Sequence, residues 1–180
     1  MLKQVTAVAG LFFLVAGCTQ STQELGGNPS PMLSDMDNQW FKTIALANMT
    51  EIQSSQIALE KSPDQAVKDF AQHMIDDHNA AGSEVASLAA DKNVTLPTQL
   101  DAQHAAILDD LRGKSGVDFE KAYMDLQVKA HSETITADGD EANNGNDMQV
   151  KAEAAKLLPT LKMHESMARQ LQTGDYGHKM

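Results

Sequence analysis

The sequence predicts an all-α fold: an antiparallel four-helix bundle with a short extra helix between the two hairpins. Three observations predict it. Ala, Leu, Met, Gln, Glu and Lys dominate the chain, aromatics are sparse and runs of β-branched residues are absent. Apolar residues recur at three- and four-residue spacing through five segments. Gly, Pro, Ser and Asp gather between those segments, where helices stop and start.

The N-terminus has a different character. MLKQVTAVAGLFFLVAGC carries Lys3 and then an apolar run from about Val5 to Ala16. That run is too short to span a bilayer as a mature helix and has the shape of a signal-peptide centre. It ends in Val15-Ala16-Gly17-Cys18, which resembles the lipobox of bacterial lipoproteins. The resemblance implies that residues 1–17 are a signal peptide and that Cys18 is lipidated. The other reading is an ordinary secretory signal cut elsewhere, with a chance cysteine. Cys18 is the only cysteine, so no intrachain disulfide is possible, and lipidation explains its presence. Several acyl chains would give a stable membrane anchor. Thr19 rather than Asp follows Cys18. By analogy with lipoprotein sorting, that favours the outer membrane, at the periplasmic face of a bacterial envelope. Residues 18–36, rich in Gly, Ser, Thr, Asn and Pro, read as a flexible tether.

The bundle is expected over residues 37–173. The first helix runs from about Asp37 to Glu60, with Phe41, Ala45, Asn48, Ile52 and Leu59 in one stripe and Ile44, Glu51 and Ser55 on its shoulder. Ser62-Pro63-Asp64 stops it, and Asp64 can cap the next. The second helix runs to about Lys92, with Val67, Phe70, Met74, His78, Ala81, Val85 and Leu88 inward. After a turn over 93–98, a short third helix ends at Arg112, before Gly113-Lys114-Ser115-Gly116. The fourth runs from about Val117 to Ala137, with Phe119, Tyr123, Leu126, Ala130 and Thr134 inward and His131 on the flank. Residues 138–146 read as an acidic loop. The fifth runs from about Asp147 to Gln172, striped by Val150, Ala154, Leu157, Leu161, His164, Ala168 and Leu171, with Pro159 expected to kink it. Residues 174–180 read as a frayed tail.

Acidic residues outnumber basic ones, 25 to 14, for a net charge of −11. A repelling negative field argues against nucleic acid and against polybasic contact with anionic lipid. Two tempting motifs fail. Arg112-Gly113-Lys114-Ser115 ends like a phosphate-binding loop, but Leu108 stands where the first Gly is needed. The acidic segment starting at Asp140 echoes a calcium loop, but its twelfth place is Lys151 rather than a bidentate Glu. No serine or cysteine catalytic arrangement can be assembled.

The inward polar residues remain: Glu51, His78, His131 and His164, from four helices. Imidazoles and carboxylates converging inside a bundle are how such folds bind metals. Asp77 lies at the edge of the second helix's stripe, placed to bind the metal or to orient a histidine from behind, and Tyr123 is a candidate for the latter role. Met74 and Met167 lie one turn from His78 and His164, which would favour copper over iron. The competing reading is that each histidine is a core residue bonded to a neighbouring helix. His104 also lies on a stripe without evident partners, and His73 points to the outer flank. No Glu has a His three positions on, so the di-iron carboxylate signature is missing.

The blocks FKTIALANMTEIQSSQIAL, VKDFAQHMIDDHNAAGSEVASLA, VDFEKAYMDLQVKAHSETI and AAKLLPTLKMHESMARQL resemble the domain-of-unknown-function family numbered 4142. The features carrying the resemblance are Asp77-His78, then Phe119, Glu120, Tyr123 and His131, then Leu158, Pro159 and His164, with Glu51 as the acidic residue of the first helix. Glu120 stands where Asp is usual. The resemblance implies an exported bacterial protein with a ferritin-like bundle over about residues 37–172. Two functions follow as expectations. One is a lipid-anchored envelope protein with a non-catalytic binding, structural or stress-related role and a protein partner in the envelope. The alternative is a bundle that binds a transition metal (Fe, Cu, Mn or Zn), with redox chemistry as an option. Under the first, neutral buried histidines should make stability fall below about pH 6. The oligomeric state is left open.

Overall fold

Helix start and stop signals explain the element order. The computed structural model describes residues 32–173. The signal segment 1–17, Cys18, most of the tether and the tail 174–180 lie outside the described residues. Within them the fold is a helical bundle of five helices without strands: α1 Asp35–Lys61, α2 Gln65–Asp91, α3 Ala102–Arg112, α4 Gly116–Asn144 and α5 Met148–Thr173. No helix among the described residues is long and apolar enough to cross a membrane.

Ser34 caps α1 in a capping box with Asp37, so α1 begins two residues before its expected start. Asp64 caps α2 through the backbone N–H of Ala66, and Asp101 caps α3 through that of His104. α2 ends with Asn93 in the left-handed region, φ 58°. The Val94 and Asn93 N–H groups then donate back to the carbonyls of Ala89 and Ala90, so the final carbonyls stay satisfied. α5 runs continuously past Pro159.

α1 packs against α2 and α4, α5 packs against α4 and α2, and α3 lies on α1 and α4. The four long helices thus enclose one interior. Its apolar part has two clusters. Phe70, Met74, Leu108, Leu111, Phe119 and Tyr123 anchor the first. Trp40, Phe41, Ile44, Val85, Val150 and Ala154 form the second. Met74 and Met167 both pack in the first cluster.

Three expectations need correction. Residues 138–144 are the last two turns of α4 rather than an acidic loop. Asp138 accepts a 2.7 Å hydrogen bond from Trp40 Nε1, and both Asp138 and Glu141 are buried. Tertiary partners override the local charge and glycine signal. On α1 the stripe is rotated: Ile44, Glu51, Ser55 and Ala58 are buried, whereas Ala45, Asn48, Ile52 and Leu59 are half-buried. A helix touching three neighbours buries a face wider than one stripe. On α4 the buried line runs through Phe119, Tyr123, Gln127 and His131, so His131 is central and not flanking.

Candidate metal centre

Between the two apolar clusters the bundle interior is polar. His78 on α2, His131 on α4 and His164 on α5 are buried there, and one ring nitrogen of each lies within 4.8 Å of the other two. The ring centroids are 5.4–5.7 Å apart. Three helices bring these side chains together because each places its histidine on the stripe that carries its apolar residues.

The other ring nitrogen of each histidine is fixed by an acceptor. His78 Nδ1 lies 2.9 Å from Asn48 Oδ1. His131 Nδ1 lies 2.8 Å from the Gln127 carbonyl oxygen. His164 Nε2 lies 3.0 Å from Asp77 Oδ2. An amide oxygen, a carbonyl and a carboxylate can only accept, so each neutral ring must donate its single N–H outward. That sets three tautomers. His78 Nε2, His131 Nε2 and His164 Nδ1 are left as buried lone pairs with no hydrogen-bond partner. Histidines held from behind in this way are the usual form of metal-ligating imidazoles.

Electrostatics keeps the rings neutral. Burial pulls His78 down to about 3, with His131 and His164 adding repulsion. Burial likewise lowers His131 to about 4, against the Gln127 carbonyl, which favours the proton. His164 is also lowered by burial, opposed by Asp77. Ligation requires the neutral form, and burial supplies it.

Glu51 and Tyr123 stand apart from this trio. Glu51 is 2% exposed, and neither carboxylate oxygen has a partner. Burial pushes it up to about 8, with Gln127 pulling slightly the other way, so it holds a proton at neutral pH. It is not among the atoms grouped within 4.8 Å, but with His78 and His131 it lines a cavity of ≈ 340 Å³. The remaining wall is mostly apolar, including Ile44, Val85, Leu96 and Leu161. Tyr123 sits in the first apolar cluster, its hydroxyl 2.8 Å from Ser55 Oγ. Burial pushes that phenol up, so it stays neutral. The Asp77 carboxylate of α2 meets His164 of α5 rather than its neighbour His78.

Gly82 leaves room for Asn48. A Cβ there would come within 2.5 Å of Asn48 Nδ2, so a larger residue would push that amide aside and disturb its bond to His78. His73, read from the sequence as an outer-flank residue, is 39% exposed in its side chain; its Nε2 is 3.5 Å from Asp77 Oδ2 and its ring centroid is 5.3 Å from that of His164. Its spacing of four from Asp77 was the available signal. His104 bonds Asp101 at the start of α3 and joins neither group. The sequence places Asn48 on the first helix's stripe without assigning it a role, and Gln127 gives no signal.

No curated protein matches the sequence. Two solved structures share the fold. A DUF305 fragment from Deinococcus radiodurans superposes with a TM-score of 0.70 at 11% identity, covering 79% of this chain and 99% of that one. CopM in its Cu(II)-bound form superposes with a TM-score of 0.65 at 14% identity, covering 78% of this chain and 97% of that one. Identities this low speak for shape alone. The sequence itself matches a family model over residues 22–171, most of its length. The chain therefore belongs to the family described as a domain of unknown function, DUF4142.

Proposed function

We propose that the protein binds one transition-metal ion through His78, His131 and His164, inside a ferritin-like antiparallel bundle held at the bacterial envelope by a lipid on Cys18. One observation carries the reading: three buried ring nitrogens turn lone pairs into one place, and none has a partner. Each unpartnered buried polar atom costs about 1–3 kcal/mol. Three together, each with its tautomer fixed by an outward hydrogen bond, make a poor core and a good ligand set.

Three neutral imidazoles suit copper or zinc better than a hard cation. The Asp77 carboxylate behind His164 makes that ring more basic and adds negative charge close to the ion. A His₃ set leaves a coordination position for water or a small ligand. The cavity shared by His78, His131 and Glu51 is where such a ligand would sit. CopM, a bundle of similar shape, is known in a Cu(II)-bound form, which is compatible with copper here. The lipobox-like Val15-Ala16-Gly17-Cys18 supports the anchored, periplasmic location.

Metal content tests the reading. The chain with Cys18→Ser is purified without chelator, loaded with copper or zinc, desalted and measured by mass spectrometry. Near-stoichiometric metal is expected, held more tightly through repeated desalting by the parent chain than by His131→Ala or His78→Ala. Absence of metal after loading, or retention as tight in both variants as in the parent, would sink it. In that case the trio is a structural core cluster, and a role through an envelope protein partner becomes the better reading.

A further inference from the structure

His164 faces two ways. Its Nδ1 belongs to the buried trio, while its Nε2 faces Asp77 Oδ2, the oxygen that His73 Nε2 also approaches. His73, Asp77 and His164 form a second group whose ligand atoms lie within 4.8 Å of one another. Unlike the buried trio it reaches the surface: His73 and Asp77 are 39% and 34% exposed in their side chains, against 1% for His164.

We propose that His73, Asp77 and His164 form a second metal position, a loading site for a divalent transition-metal cation that passes it to the buried trio. The hand-over rests on the buried trio being a metal centre; the surface position does not. Its distances fit an ion. Ligands about 2.0–2.1 Å from a tetrahedral metal lie roughly 3.3 Å from one another. His73 Nε2 and His164 Nε2 lie 3.5 and 3.0 Å from Asp77 Oδ2. His73 and Asp77 are also one turn apart on α2, so a rigid helix presents both.

The other approach, through the cavity beside Glu51, suits a metal ion poorly. Its wall is mainly apolar and offers an incoming cation no exposed carboxylate, unlike the surface group with Asp77. The surface trio exchanges water for ligand atoms one at a time. The net charge of −11 also draws cations towards the protein.

His164 sets the order of events. A metal on Nε2 takes the lone pair there, so the ring's single proton sits on Nδ1 and the Nε2–H bond to Asp77 is absent. Asp77 is then free to be a ligand. When the metal moves to Nδ1, the proton returns to Nε2 and the bond to Asp77 re-forms. One neutral imidazole serves either position, with no net gain or loss of protons.

Cu(II) titration of the Cys18→Ser chain tests this. The His78→Gln/His131→Gln variant lacks the buried trio and should still bind Cu(II) through the surface group. Adding His73→Ala removes one of the three ligands and should weaken that binding by about 100-fold, at least as much as loss of a ligand's orienting partner costs. No binding by the double variant, or affinity unchanged by His73→Ala, overturns the surface site. Wild type binding no more tightly than the double variant would count against the buried trio instead and leave the surface site standing. If circular dichroism shows the double variant unfolded, stopped-flow Cu(II) uptake by the His73→Ala chain carries the test. Uptake should slow measurably, because the exposed first ligand is gone, with the final affinity unchanged. Uptake at the wild-type rate overturns the loading role.

Discussion

The chemistry of single residues turns on which ring nitrogen carries the proton. Asn48, Gln127 and Asp77 fix that for His78, His131 and His164, so they matter as much as the rings. Gly82 extends the chain of dependence by one step, because it makes room for Asn48. Gly82→Ala should leave the helix content unchanged, shift Asn48 and lower metal affinity by about 10-fold, the lower end for loss of an orienting partner. Calorimetric titration checks it; unaltered affinity would mean Asn48 does not hold the ring. Much of this was legible in the sequence. His78 and His164 fall on apolar stripes, and Asp77 adjoins His78. Asn48 and Gly82 were not legible, because their roles depend on a contact between two helices that no single-helix pattern encodes. Glu51 was legible as inward, but not as standing apart from the trio.

At the scale of elements, the end of α4 shows how a local reading fails. Asp138-Gly139-Asp140-Glu141 carries the composition of a loop, yet it is helical. Trp40 Nε1 donates to Asp138 Oδ1, and Glu141 lies so close under Gly145 that a Cβ there would stand 1.9 Å from Oε1. Asp37 completes the joint by accepting from the backbone N–H groups of Asn146 and Asp147. Those bonds and that to Ser34 outweigh its burial and hold it down at about 2, so it stays ionised. Lys92 adds a 2.5 Å ion pair to Asp147. Trp40→Phe keeps the ring but removes the donor. It should cost about 1–3 kcal/mol in urea denaturation, the range for a buried group left unpaired. Amide exchange should quicken first over residues 138–144. A loss spread evenly over the bundle would argue that this bond does not hold the helix end. Helices 1, 2, 3 and 5 were readable as elements from their stop and start signals, although the buried face of α1 is rotated from its expected stripe. The last turns of α4 were not, because they depend on Trp40, about a hundred residues away in sequence.

The whole molecule carries two opposed sets of buried titrating groups. His78 and His131 lie at about 3 and 4, below the usual 6.5, so their contribution is complete above pH 6.5 and is lost as pH falls towards those values. Glu51 lies at about 8, and burial together with the Asp37 carboxylate puts Glu141 at about 7. Burial also raises Asp138 to about 7, against the Trp40 hydrogen bond. These carboxyls bind protons more tightly folded than unfolded, so stability is lost as pH rises through 7 to 8. The sets oppose each other between the usual carboxyl range and 6.5, and only the carboxyls act above it. The fall below about pH 6 expected from histidines alone is therefore offset. The metal-free protein should show a stability plateau through weakly acidic pH and a decline towards pH 8. Thermal melts across that range check it, and Glu51→Gln should flatten the alkaline limb. A melting temperature that rises steadily from pH 6 to 8 would mean the carboxyls are ionised. Bound metal should raise stability by about 2.7 kcal/mol at a free concentration a hundred times Kd. The most direct measurement is X-ray absorption at the metal edge of the copper- or zinc-loaded chain. The buried trio requires nitrogen ligands at about 2.0–2.1 Å with the outer-ring scattering of three imidazoles, diminished in His131→Ala. An oxygen shell without imidazole scattering, or a spectrum unchanged by His131→Ala, would contradict a metal centre at His78, His131 and His164.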